Sequence, residues 1–289
     1  MKKIAILGCE NSHASAFLKC IKEKDDFRDI EVVGVYSSQR EASEKIKAKF
    51  DVPIMDNYYD AVGKIDGLVI TARHGNEHYE FAKPYIKSRI PMFIDKPITI
   101  SEKEAVDFMK ELKAESVRIS GGSSLKQDEL IMRLKREKEE EYGGKTLGGY
   151  VRAPYMSDSI YGGFYFYAQH LVEMVCEIFG RYPKAVTAKE KKGQIHVLFH
   201  YEDYDCVGLF CDKSYVYFAS RMSEKEATGY SIPTTDDWFF REFEEFAKLL
   251  HGAPQVISYE DFISPVFIMN AIERSLVNGK EESIPAFCI

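Results

Sequence analysis

Four short apolar runs, Lys3 to Leu7, Glu31 to Tyr36, Gly67 to Thr71 and Ile90 to Asp95, recur along the first hundred residues, and each is followed by a segment with helical spacing. Runs this short and this apolar read as strands buried on both faces. Strands that alternate with helices pair in parallel through right-handed crossovers. The pattern predicts a doubly wound, Rossmann-like parallel sheet over residues 1–122. The fourth run continues into Asp95-Lys96-Pro97, and Pro97 has no N–H with which to extend a ladder. Lys96 is therefore expected at the carboxyl end of a strand, which is where open parallel sheets bind ligands. A polar turn accounts for the same three residues without any function.

The pattern changes after Gly121-Gly122-Ser123-Ser124. A highly charged helix, Asp128 to Glu141, precedes strand-like stretches at Leu147 to Pro154, Ala185 to Lys189, Gln194 to Tyr201, Cys206 to Cys211 and Tyr215 to Arg221. Their short turns predict a largely antiparallel open sheet, and with the helices Thr235 to His251 and Tyr259 to Asn278 they define an α+β domain over residues 123–289. The fold class is thus α/β followed by α+β.

Charge and cysteine usage narrow the function classes. A net charge of −7 without a basic block argues against a nucleic-acid partner and for a small-molecule substrate. The six cysteines show no C-x-x-C spacing and the chain starts directly on a strand, so reduced thiols and a cytoplasmic location are expected. No apolar stretch is long enough for a membrane span, and no metal is expected.

Four places give the chain a resemblance to a known family. They are Asp95-Lys96-Pro97; Gly162-Gly163 with His170-Leu171-Val172-Glu173 and Phe179-Gly180; Thr71 with His78 downstream; and Ala271 to Ser275 with Gly279-Lys280. In order and spacing they resemble the glucose-fructose oxidoreductase, inositol dehydrogenase and MocA family. The resemblance implies an NAD(P)-dependent oxidoreductase that transfers a hydride between the coenzyme and a sugar, polyol or derivative. It implies His170 as acid/base and Lys96 as the cation that orients and stabilises the reacting oxygen, because hydride leaves a carbinol carbon only as the hydroxyl proton is removed. A core histidine on the apolar face of Leu171, Val175 and Ile178 is the structural alternative for His170. Coenzyme contacts are expected at Gly8, Asn11, Ser12, His13, Ser37, Ser38, Arg40, Thr71, Ala72, Arg73, His78, Asp95 and Lys96. The aromatic cluster around the histidine nominates Tyr155, Tyr161 and Tyr167, with Asp158, Lys96 and His170, as contacts to a sugar-like substrate. Members of the family commonly pair through the open sheet, so a homodimer or tetramer is expected.

Three departures from the family pattern qualify this reading. The loop Gly8-Cys9-Glu10-Asn11-Ser12-His13 keeps only the first glycine of Gly-x-Gly-x-x-Gly, and Glu10 brings a negative charge toward a pyrophosphate unless its side chain points away. Alternatively His13-Ala14 matches the His-Ala that follows the fingerprint, which makes the loop a shortened one. The second strand ends in Tyr36-Ser37-Ser38-Gln39-Arg40 where an acid holds the ribose in NAD enzymes. Two hydroxyls and a guanidinium suit a 2′-phosphate, so NADP is expected over NAD; the serines also serve as helix caps. Finally, Phe166 stands four residues before His170, where the family places an aspartate, leaving Glu173, Tyr165 or Tyr167 as substitutes. These losses also fit a non-catalytic nucleotide- or sugar-binding regulatory protein that kept the fold.

Overall fold

A computed structural model describes residues Met1–Ile289. The first sheet is built from β1 (Lys2–Leu7), β2 (Ile30–Tyr36), β3 (Gly67–Ile70), β4 (Met92–Asp95) and β5 (Ile119–Gly122), all parallel, in the order β2-β1-β3-β4-β5. A single parallel bridge joins Val35 of β2 to Ile54, on the outer edge where the dinucleotide fold has a further strand. The order reverses between β1 and β3, which opens a crevice at their carboxyl ends.

Strand residues divide strictly between the two faces. Ile4, Ile6, Val69 and Phe93 face one side and pack with α1 (Ser12–Glu23). Leu7, Leu68, Ile70, Met92 and Ile94 face the other and pack with α3 (Asn76–Ala82) and α4 (Glu102–Ala114). α2 (Arg40–Phe50) follows β2. The helix expected from Glu77 to Ser88 is α3 followed by a 3₁₀ turn over Lys83–Ser88, because Pro84 removes the N–H that α geometry needs.

The second sheet has seven strands in the order β11-β10-β6-β9-β8-β7-β12. These are β6 (Thr146–Tyr155), β7 (Ala185–Lys191), β8 (Gln194–His200), β9 (Asp205–Asp212), β10 (Tyr217–Ser223), β11 (Ala227–Ile232) and β12 (Glu282–Ser283). All pairs are antiparallel except β6 with β9, so the sheet is mixed. β11 escaped the sequence reading because this edge strand carries Thr228, Gly229 and Ser231 rather than an apolar run. One face is covered by α5 (Glu129–Glu139), α6 (Tyr165–Phe179) and the second half of α8 (Tyr259–Asn278). The opposite face carries no helix.

The two lobes share packing. Phe262, Ile263, Val266 and Phe267 of α8 enter the core of the first sheet, while Ile268, Met269, Ala271 and Ile272 of the same helix enter that of the second. α7 (Asp237–Leu250) crosses to the first lobe, where Phe243 and Phe246 meet Phe17 and Phe93. No helix is long and apolar enough to cross a membrane.

Candidate active site

β4 delivers Lys96 to the seam between the lobes. Its backbone N–H donates to Oδ1 of Asp95 at 2.7 Å, and Oδ2 of Asp95 accepts from Asn11 Nδ2 at 2.8 Å. Asp95 is therefore a buttress beneath Lys96, wholly buried, and burial pushes its carboxyl up to about 7 despite the neighbouring ammonium. The Lys96 ammonium makes no ion pair. Its nitrogen lies 4.8 Å from the centre of the Phe166 ring and 5.3 Å from that of Tyr167. With 4% exposure, burial lowers its pKa. Phe166 and Tyr167 thus offer the ammonium aromatic faces, which attract a cation without neutralising it.

His170 also lies against Tyr167, with ring centres 5.4 Å apart. Its Nδ1 is 2.6 Å from Oγ of Ser123, in the loop after β5, and Nε2 has no partner in the chain. Burial, with Lys96 nearby, holds the imidazole well below its usual pKa, so it is neutral at neutral pH. Ser123 is fixed in turn: its Oγ accepts from Leu125 N–H at 3.3 Å, and its own N–H donates to Oε1 of Glu173 at 2.9 Å. Glu173 also pairs with Lys126 at 3.4 Å and accepts from Gln169 Nε2, while Gln169 Oε1 accepts from Ile98 N–H at 3.1 Å. One helix, α6, therefore clamps the ends of β4 and β5 and carries the histidine between them. Glu173 reaches Ser123 rather than His170. Gly122 is required here, because a Cβ would stand 2.6 Å from Oε1 of Glu173 on a backbone with φ +87°.

Behind Asp95 lies a group that sequence reasoning missed. His13 Nδ1 is 3.2 Å from Asp95 Oδ2, and His13 Nε2 is 3.6 Å from Oε2 of Glu242 on α7. Neither carboxyl oxygen of Glu242 has a hydrogen-bond partner at 1% exposure. Burial, with Asp95 adding repulsion, raises its pKa well above the usual range.

The coenzyme candidates divide into two groups. A cleft of about 690 Å³ at the carboxyl ends of β1 and β2 is lined by Glu10, Asn11, Ser12, Ser15, Gln39, Arg40, Lys45 and Arg73. The first turn of α1 opens on it with no side-chain cap and no acid, so its free N–H groups and the flanking cations suit a diphosphate. The other candidates hold the scaffold. Thr71 Oγ1 donates to Gly8 O at 3.0 Å. Gly8 is dictated by Ala72, whose nitrogen would be 2.1 Å from an added Cβ. His78 is fully buried between Ala72 O at 2.8 Å and Ile98 O at 3.2 Å, and burial lowers it to about 4. His13 faces Asp95 and Glu242 rather than the cleft.

The groups expected to hold a 2′-phosphate have partners within the chain. Ser37 donates to Glu10 at 2.6 Å, Ser38 donates to Glu77 at 2.9 Å, and Arg40 turns to Asp56 at 3.3 Å. All three groups counted as phosphate ligands are engaged by carboxylates.

Of the expected substrate contacts, Tyr167, Lys96 and His170 converge. Tyr161 reaches across the seam, where its hydroxyl is 3.4 Å from Gln39 Nε2 and 3.5 Å from Arg73 Nη1. Tyr155 is a core residue at 1% exposure, packed on Phe164 and Phe210, and Asp158 pairs with Lys213 at the surface at 2.7 Å. Neither shares the seam.

Comparisons with known proteins bear on the fold. Residues 2–123 match GFO_IDH_MocA, an oxidoreductase family with an NAD-binding Rossmann fold. No curated protein matches by sequence. Among solved structures, a myo-inositol dehydrogenase from Corynebacterium glutamicum superposes with a TM-score of 0.84 at 14% identity, covering 99% of this chain and 100% of that one. A scyllo-inositol dehydrogenase from Lactobacillus casei, with bound NAD(H) and scyllo-inositol, gives 0.85 at 13% identity over 99% and 100%. The WlbA dehydrogenase from Chromobacterium violaceum, in complex with NADH and UDP-GlcNAcA, gives 0.80 at 13% over 99% and 97%. At these identities the likeness speaks to the fold.

Proposed function

Because its first domain belongs to the Gfo/Idh/MocA oxidoreductase family, we propose that the protein transfers a hydride between a nicotinamide coenzyme and a carbinol carbon of a sugar, polyol or derivative. The observation that carries this is an unpaired, buried ammonium and a neutral, buried imidazole that both lie against Tyr167. An ammonium without a counter-ion stabilises an oxyanion in a low-dielectric site more than a salt-bridged one does. The coenzyme, held along the cleft by the α1 N-terminus, Ser12, Lys45 and Arg73, supplies the hydride acceptor or donor.

The histidine's role follows from its hydroxyl partner. With Nδ1–H donating to Ser123 Oγ, Nε2 carries a lone pair and takes the substrate's hydroxyl proton. The imidazolium so formed still donates Nδ1–H to Ser123 Oγ, and in the reductive direction it returns the Nε2 proton to the oxygen and becomes neutral again. Lys96 meanwhile steadies charge on the same oxygen, and Phe166 and Tyr167 exclude water from it.

The experiment is a screen of inositols, aldoses and sugar acids followed by nicotinamide absorbance, with His170→Ala alongside. Turnover of one substrate that His170→Ala abolishes, while coenzyme binding persists, is the expected result. Unchanged turnover in the variant refutes the role. A second reading, a binding protein without catalysis, is favoured by Glu10 in place of the second fingerprint glycine; coenzyme binding without turnover of any substrate supports it. The helix-free face of the second sheet exposes Leu147, Val207 and Met222, and we assign a homodimer contact to it. A sedimentation profile that Met222→Glu shifts from dimer to monomer is expected; a monomer in the unaltered protein overturns the assignment.

A further inference from the structure

The carboxylate at the end of β2 does not come from β2. Glu10 leaves the loop between β1 and α1 sideways, so that Oε2 accepts from Ser37 Oγ at 2.6 Å and Oε1 accepts from the backbone N–H of Arg73 at 2.9 Å. The first contact lies just past β2 and the second just past β3, on the rim of the cleft that Glu10 lines. Each oxygen spends one acceptor site on the chain and keeps another. The side chain is thus an immobilised acceptor for two further donors.

Two carboxylates meet at this rim. Glu77 accepts from Ser38, next to the Ser37 that Glu10 holds, and burial raises its pKa, with Glu10 adding repulsion. Of the cations that line the cleft, Arg40 turns to Asp56 and Glu44 and Arg73 lies over the Tyr161 ring at 5.1 Å, while Lys45 makes no ion pair. A hydroxyl pair brings donors to this rim, whereas a phosphate brings two negative charges against two carboxylates. In dinucleotide folds the acid that takes the ribose 2′-hydroxyl stands on the second strand's end. We infer that Glu10, from the first loop, is the residue that accepts the adenosine ribose hydroxyls and excludes a 2′-phosphate, which makes this chain specific for NAD(H) over NADP(H). The inference rests on the nicotinamide-coenzyme reading above.

The test is a fluorescence titration of the intact protein with NADH and with NADPH, repeated on Glu10→Gln and Glu10→Gly, with circular dichroism to show that each variant folds. The unaltered protein is expected to prefer NADH by about 100-fold, the scale of two charge-assisted bonds. Glu10→Gln, which keeps the shape and removes the charge, is expected to reduce that ratio at least tenfold, chiefly by tightening NADPH. Equal affinities in the unaltered protein, or a ratio that both folded variants leave unchanged, overturn the inference and leave the coenzyme reading standing. Binding that emerges only in Glu10→Gly also overturns it, because Glu10 then blocks the diphosphate. Absence of binding in all three proteins overturns the coenzyme reading itself, and the inference with it.

Discussion

Glu242→Gln tests the buried group behind Lys96 through stability rather than catalysis. The native carboxyl is surrounded by His13, Asp95, Lys126, Glu173 and Glu245, has no hydrogen-bond partner, and is held well above its ordinary pKa by burial. Below about pH 4.3 the carboxyl carries its proton in both folded and unfolded chains, so pH has no effect through it. Above that value the unfolded chain ionises freely while the folded one does not. The folded state then binds more protons, and stability falls by about 1.4 kcal/mol per pH unit until the folded pKa is passed. Asp95, raised to about 7, adds a slope of the same sign, and His13, lowered by burial, adds one of opposite sign up to its unfolded pKa. Both are retained in the variant, but they lie beside Glu242 and their titrations shift with it, so the difference reports the whole cluster. Urea unfolding of the two proteins at pH 5, 6 and 7 should therefore show Glu242→Gln gaining on the unaltered protein as pH rises, by up to about 1.4 kcal/mol per pH unit. Parallel stability curves, or a variant weaker at every pH, would mean that Glu242 and His13 form a charged pair, and the argument from the unpartnered carboxyl would be wrong.

Three further outcomes follow from the geometry. Ser123→Ala removes the only partner of His170 Nδ1 and should lower kcat about tenfold with KM little changed, while imidazole nitrogen shifts in NMR report the altered tautomer balance. Gly8→Ala places a Cβ 2.1 Å from the Ala72 nitrogen on a backbone with φ +81°, and should destabilise the fold by about 3 kcal/mol or more in denaturant unfolding. Tyr161→Phe removes the hydroxyl that meets Gln39 and Arg73 across the seam and should raise the coenzyme Kd a few-fold in the same fluorescence titration, leaving thermal stability unchanged.

The first sheet was legible because its strands are buried on both faces: Met92, Phe93 and Ile94 are each fully buried, which an unbroken apolar run announces. Lys96 was legible for the same reason, as the first residue past such a run. The partners of the site were not. Ser123 lies in Gly-Gly-Ser-Ser, which reads as a link between domains, and only the fold shows that the loop after β5 stands beside α6. Glu242 lies among Arg241, Glu244 and Glu245, and composition does not separate it from them. Its spacing does: Glu242 falls four residues after Trp238 and four before Phe246, on the apolar stripe that also carries Phe243. An acid inside such a stripe is a buried acid. Glu10 was legible as a charge in the wrong place, but not as a charge tied down by Ser37 and the Arg73 amide, because those partners converge only when β1, β2 and β3 lie side by side.

Lys96→Met separates a catalytic cation from a structural one. Met keeps the length and the apolar stem and removes the charge. Burying an ammonium without an ion pair costs several kcal/mol, of which the Phe166 and Tyr167 faces return about 1–2 kcal/mol. A fold that needed only to be stable has no use for this arrangement, and the substitution should stabilise the protein by about 1–4 kcal/mol. A site that uses the charge to hold an oxyanion should lose on the order of 10²–10³ in kcat with the same change, while NADH still binds. Stability and turnover thus move in opposite directions under one substitution. If Lys96→Met weakens the fold instead, the ammonium is a structural counter-charge to Asp95, whose field favours its charged form, and the aromatic wall at Phe166 is packing rather than chemistry.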